Sequence, residues 1–228
     1  MGSWWVTDAL QNGGPVLLGS WILWVIGSIV LHELAHGWAA IRCGDDTPVA
    51  TGHMTWNPYV HMGPFSLLMF GLIGIAWGQM PVQPLNFRGR YDDAYVAFAG
   101  PAMNLVLALL TAIAGGMWIV LAQGNVAPNV YDNTRTFLAI GCSMNIALCL
   151  FNLFPVPPLD GSRIVADFVP SYERFIRSEQ GAVAALIGFA LLFTVAGKHI
   201  FFYAVVAGSF ATGLVAIAIQ ALTGHGTP

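Results

Sequence analysis

Two histidines and a glutamate stand close together in the run His32-Glu33-Leu34-Ala35-His36. On an α-helix, positions i and i+4 lie one turn apart and about 40° around the axis, so both imidazoles reach one ion. Glu33 flanks that face, where a carboxylate can take a proton from water at the ion's open position. The spacing offers two ligands and a base for metal-assisted hydrolysis. A five-residue pattern also arises by chance, and its surroundings decide which reading holds.

Those surroundings are apolar. Of 228 residues, 57% are hydrophobic and 8% charged, against about 25% charged in an ordinary soluble domain. The block Pro15 to Ile41 carries Glu33, His32 and His36 among residues that are otherwise apolar or small. Ionisable groups inside a membrane-spanning segment are costly when unpaired and are therefore functional by default. This context favours a metal site over coincidence.

A catalytic zinc needs a third protein ligand and an open position. The run Asn152-Leu153-Phe154-Pro155-Val156-Pro157-Pro158-Leu159-Asp160-Gly161 brings one carboxylate, Asp160, to the end of another apolar block. Its prolines break the helix and Gly161 permits a turn, so Asp160 can point back toward a helix bundle. Spacing alone equally allows Asp160 to cap the next helix.

The elements that must position these residues are long apolar blocks. Val96 to Ala122, Thr136 to Phe154, Gly181 to Gly197 and Ile200 to Leu222 join Pro15 to Ile41 as predicted spanning helices, each near the length that crosses a bilayer. Gly63 to Gly78 is shorter, rich in glycine and bounded by Pro64, Pro81 and Pro84. The connectors 42–55, 84–95, 123–135 and 161–180 leave no room for another folded domain. The chain therefore reads as one all-α polytopic membrane domain, residues 1–228, with a catalytic core at about 15–163 and a C-terminal helical pair at 181–222.

Other features narrow the class. Met1 to Ser20 contain neither Lys nor Arg, so the first block lacks the basic flank of a secretory signal and is expected to be retained. The three cysteines, Cys43, Cys142 and Cys149, are an odd count and read as packing residues. A net charge of -3 without clustered Lys and Arg gives no sign of a nucleic-acid partner.

With these motifs in hand, the sequence resembles the site-2 protease family of intramembrane metalloproteases (M50 type), in a short form without a PDZ or CBS module. The likeness rests on three motifs in one order: His32 to His36, Gly100-Pro101-Ala102-Met103-Asn104, and Asn152 to Gly161, which fits N-x-x-P-x-P-x-L-D-G. It extends from about Gly27 to Arg163, through connectors such as Thr55-Trp56-Asn57-Pro58. The resemblance implies that His32, His36 and Asp160 hold Zn2+, that Glu33 is the catalytic base, and that Asn152 holds the scissile carbonyl or its oxyanion, a task suited to a preorganised amide. For Asn104, an interhelical hydrogen bond beside close packing at Gly100 is as good a reading as a catalytic role. Two departures stand out. His61-Met62-Gly63-Pro64-Phe65-Ser66 replaces the H-x-D-P-x-G of short members, and Ala76-Trp77-Gly78-Gln79-Met80-Pro81-Val82 replaces G-W-A-K-P-V. His53 reads as a polar loop residue, and His61 either as that or as a neighbour of the metal or substrate.

Geometry adds a topology. His36, late in the first block, and Asp160, just past another, must meet at one depth, so their helices must run in the same direction. They do so if Gly63 to Gly78 is re-entrant, between the first and second spanning helices. Five spanning helices plus this segment, about five to six membrane helices in all, are expected. Arg42, Arg88, Arg90, Arg163, Arg174 and Arg177 then fall on the site's side, with Arg135 and Lys198 opposite, which places the site toward the cytoplasm of a prokaryotic cell membrane. The edge of the re-entrant segment is expected to take the substrate as an added strand, with Gly71 and Gly74 as the positions to test. The implied activity is zinc-dependent hydrolysis of peptide bonds within or near transmembrane segments of membrane proteins. The rivals are a membrane metal-binding protein without catalysis, either an inactive relative or part of a metal transporter, and a structural protein without metal. Only hydrolysis needs Glu33 as a base.

Overall fold

The computed structural model describes residues 4–224, and all of their regular elements are helical. The ends of the expected domain, 1–3 and 225–228, lie outside the described residues. The helices are α1 (Trp5–Arg42), α2 (Thr47–Ala50), α3 (Pro58–Ile73), α4 (Asp92–Leu121), α5 (Pro128–Asn152), α6 (Asp160–Phe168), α7 (Pro170–Ile176), α8 (Glu179–Leu191) and α9 (Gly197–Thr223). Among the described residues, four helical runs are long and apolar enough to cross a membrane: Trp5–Arg42, Asp92–Leu121, Pro128–Asn152 and Glu179–Thr223. The protein is an integral membrane protein built of helices.

Contacts between side chains give the directions. The Trp24 indole donates to the Phe137 carbonyl (2.8 Å), and further along both chains Ile29 and Leu148 face one cavity, so α1 and α5 run parallel. α4 runs against α1, with Val96 beside His36 and Asn104 beside His32. α9 runs against α5: Gly208 lies against Cys142 and Ser143, while Thr212, one turn later, meets Gly115 together with Leu138. Small residues let these helices approach closely, as membrane interfaces require.

The C-terminal pair differs from expectation. α8 passes into α9 through a π-helical turn, Leu192–Ala196, with no loop at Lys198-His199. The dihedrals of Gly197 are helical (φ -53°, ψ -46°), and nothing in 192–199 removes a backbone donor. A charge pair in an apolar run marks a change of environment without breaking a helix. The five apolar blocks of the sequence thus fall, among the described residues, into four helical runs of membrane-crossing length.

The segment 58–83 follows an unusual course. After a break at Gly63 (φ 66°, ψ 170°), α3 carries Phe70 into a cluster with Val25 and Ile29 of α1, and ends at Gly74 in left-handed geometry. Trp4 and Trp5 indoles, held there by the turn at Gly14 and Pro15, donate to the last carbonyls of α3 at Gly71 and Leu72. The chain then returns along α1: Gly78 lies at Glu33, Met80 at Gly37, and Val82 against Ala39, Ala40 and Cys43. Two residues of the return match four of the helix, which makes it extended. The Ser66 hydroxyl donates to the Trp77 carbonyl (2.7 Å) and accepts from its N–H (2.9 Å), while Gln79 N–H donates to the His61 carbonyl (2.9 Å).

Both ends of the excursion are tied to one residue. Asp45, fully buried, accepts from Thr47, from Gln83 N–H (2.7 Å) and from the Asn86 amide (2.8 Å). Burial works against its ionisation, but these hydrogen bonds outweigh it and hold the carboxyl below its ordinary range. At the end of α1, burial pushes the Cys43 thiol up to about 11. Cys43, Cys142 and Cys149 are free and buried, as packing residues should be.

Candidate metal centre

The i, i+4 spacing on α1 brings His32 Nε2 within 3.0 Å of His36 Nε2. Asp160 Oδ2 completes a triangle, 3.1 Å from the first nitrogen and 3.4 Å from the second. Ligands of a tetrahedral zinc with bonds near 2.0–2.2 Å stand about 3.3 Å apart. The three atoms thus fit that ion, and among the described residues they form a buried group that could hold it. His36 Nδ1 lies 2.7 Å from the Val96 carbonyl, which can only accept, so Nδ1 carries the proton and Nε2 presents a lone pair. That lone pair faces a carboxylate oxygen, an opposition of acceptors that a shared cation relieves.

Asp160 is not a cap. Leu159 holds the N-cap position of α6, and Asp160 is the first residue inside the helix with its carboxylate turned to the histidines. α6 is fastened to the start of α4 by the Arg163–Asp93 ion pair and by Asp167, which accepts from Ala94 N–H (2.9 Å). These ties fix where Asp160 stands.

α4 closes the site from the other side, and Gly100 is what lets it. A Cβ on Gly100 would stand 2.5 Å from the Nε2 atoms of both His32 and His36. Pro101 removes a backbone donor in the same turn and loosens it, beside the Val96 carbonyl that His36 uses. Asn104 forms an interhelical hydrogen bond, and its partner is His32 of the triangle: Oδ1 lies 2.6 Å from Nδ1.

A cavity of about 840 Å³ opens on the triangle. Glu33, 7% exposed, lines it next to the ligands. Asn152 also lines it, and donates one amide N–H to the Leu148 carbonyl of its own helix (3.0 Å), which leaves the other for a ligand. The return strand around Trp77 and Gly78 forms one wall, and Phe189 and Phe193, beyond the expected core of 15–163, form part of another.

The two further histidines stay outside the triangle. His53 is on the cavity's rim, with Nδ1 2.9 Å from Thr51 Oγ1, and His61 is buried with Nε2 2.7 Å from the Thr55 carbonyl. Sequence reasoning passed over Asn145 and Gly78. An amide in an apolar block must find a partner at membrane depth, and that was the available signal for Asn145. Gly78 lay in a stretch where glycine is common, and nothing local distinguished it.

The sequence pattern of peptidase family M50 matches residues 20–132 and 115–195. YwhC of Bacillus subtilis is 31% identical over 185 residues, 78% of this chain and 82% of YwhC. Rip2 of Mycolicibacterium smegmatis is 33% identical over 170 residues, 70% of this chain and 61% of that protein. Rip3 of Mycobacterium tuberculosis is 32% identical over 160 residues, 70% of this chain but 32% of the longer relative. The names of all three contain the words zinc metalloprotease. No solved structure matches the chain. The family pattern spans most of the residues and the similarity to YwhC most of both chains, so this chain belongs to peptidase family M50, in keeping with its resemblance to the site-2 proteases.

Proposed function

We propose that this protein is a zinc metalloprotease that hydrolyses peptide bonds within or beside transmembrane segments of other membrane proteins. The observation that carries the reading is the convergence of His32, His36 and Asp160 at membrane depth, with Glu33 beside them on one cavity. Zinc bound there supplies Lewis acidity, lowering the pKa of water and polarising a carbonyl. Glu33 takes the proton of the attacking water and returns it to the leaving amine. Asn152, with one N–H still to give, holds the substrate carbonyl or its oxyanion.

The segment 63–78 is re-entrant in this reading. Support comes from its contacts, which descend α1 to the level of Val25 at Phe70 and climb back to Cys43 at Val82, with Asp45 holding the return. Irregular backbone at this depth is suited to lining a wet cavity. Trp77 and Gln79 bond toward α3, so the backbone groups of Ala76, Gly78 and Met80 face the other way and can take a substrate strand. A helical substrate must unwind to bind so. Gly71 loses its place as the test of this idea, since a Cβ there meets nothing within 4 Å. Gly74, left-handed with a Cβ position 3.3 Å from Trp5, and Gly78 are under constraint.

The chain crosses the membrane four times in this reading, with α8 on the site's side. Phe189 and Phe193 pack on Phe151 near the end of α5, which puts the start of α9 at that end. Of the eight Lys and Arg residues, Arg135 alone is then opposite, so Lys198 joins the site's side and the positive-inside rule points that side more firmly to the cytoplasm of a prokaryotic cell membrane.

The test is chelator-sensitive cleavage of transmembrane test substrates by the purified protein and by Glu33→Ala. Cleavage by the wild type and its loss in the variant are expected. Equal cleavage by the two rejects the mechanism, and zinc binding without cleavage by either favours a non-catalytic metal protein.

A further inference from the structure

The triangle works only if His32, like His36, presents a lone pair at Nε2. For His36 a backbone carbonyl enforces this directly. The Asn104 amide that faces His32 enforces nothing by itself, because it can turn over and offer either its oxygen or its nitrogen.

We propose that Asn145 is the positioning residue that sets the tautomer of His32, acting through Asn104. The chain of bonds has a direction. It begins at the Gly141 carbonyl of α5, which can only accept, and to which Asn145 Nδ2 donates at 2.9 Å. Asn145 Oδ1 is thereby turned toward α4 and accepts from Asn104 Nδ2 at 3.0 Å. Asn104 Oδ1 in turn faces His32 Nδ1 at 2.6 Å. An oxygen there requires a proton on Nδ1, so Nε2 is left bare and aimed at His36 and Asp160.

Each amide is held in one of its two orientations by the group before it, and neither is exposed to solvent at all. The relay crosses α5, α4 and α1 and thus makes the packing of three helices a condition for presenting one ligand. Groups of this kind orient the histidines of metal sites, and their removal commonly weakens metal binding by about 10-fold to 100-fold.

This inference rests on the reading of His32 as a zinc ligand, and zinc affinity measured by chelator competition on the full chain tests the two separately. In Asn145→Leu, Asn104 is free to turn over, and zinc affinity is expected to fall about 10-fold. Asn145→Asp keeps the acceptor that orients Asn104 and is expected to bind zinc more tightly than Asn145→Leu. Adding Asn104→Asp to Asn145→Leu supplies a carboxylate that cannot turn over to a donor, and is expected to restore affinity. A purely structural role for Asn145 would show no such rescue. Cobalt-substituted protein gives a second readout, since an altered His32 changes the visible absorption of the ion. Wild-type affinity in Asn145→Leu, or no rescue in the double variant, overturns the relay. If Asn145→Leu does not accumulate, the double variant carries the test alone: near-wild-type affinity supports the relay and a 10-fold loss overturns it. Wild-type affinity in His32→Ala would instead overturn the zinc reading.

Discussion

Gly78 lies so close to Glu33 that a Cβ on it would stand 2.5 Å from Oε1 and 2.7 Å from Cγ. The return strand therefore shapes the position of the Glu33 carboxylate as well as the cavity wall. Gly78→Ala is expected to displace Glu33 and lower cleavage by about 10-fold to 100-fold, as small misplacements of reacting groups do. Zinc content should not change, because Glu33 is not in the His32, His36 and Asp160 group that could hold the ion. Zinc quantified beside the cleavage rate separates this from general damage. An unchanged rate would mean that the strand gives way instead.

Gly100→Ala acts on the ligands themselves. Its methyl group would meet both Nε2 atoms at 2.5 Å, so α4 must withdraw or the imidazoles must turn. Zinc retention after dialysis against a mild chelator is expected to fall by about 10-fold or more, with activity falling in step. Full retention would show that α4 has freedom which the packing of Asn104 and Val96 argues against.

Asp45 makes the protein acid-sensitive away from the metal. Its carboxyl is depressed in the folded state, so its contribution is fully present above the unfolded value of about 3.9 and is lost as pH falls through the folded value. Asp45→Asn is expected to lose about 1–3 kcal/mol at neutral pH and to show a weaker acid dependence below pH 4. Thermal melts in detergent across that range check both. Parallel curves for wild type and variant would remove Asp45 from the account.

The number of crossings is open to chemical labelling. The native cysteines are buried, so single cysteines placed at Lys198 and Asp132 can be read with an impermeant maleimide. Lys198→Cys is expected to label from the cytoplasmic side and Asp132→Cys from the other. Labelling of both from one face would restore the crossing by α8 and the fifth span.

Much of the centre was legible because its chemistry is local. The i, i+4 pair on α1 and the proline-broken run before Asp160 carry the three residues of the triangle in short, chemically distinctive stretches. The requirement that the two meet predicted that α1 and α5 run parallel, and they do. Asn145 and Gly78 were not legible, since their importance comes from what other helices bring beside them. The continuity of the two C-terminal helices was not legible for a related reason. Lys198 and His199 look like a connector, but whether a helix continues depends on backbone donors and dihedrals, and these are intact.

The Ser66 hydroxyl occupies both the N–H and the carbonyl of Trp77, so the strand has a single free margin and a single phase. A substrate laid along that margin pairs in steps of two residues. Alternate peptide bonds of the substrate are then equivalent and their neighbours are not. Shifting a cleavage sequence by one residue relative to its anchor would turn every side chain over, whereas shifting it by two would preserve the pattern. The parity of the cut would be set by one serine on a neighbouring helix.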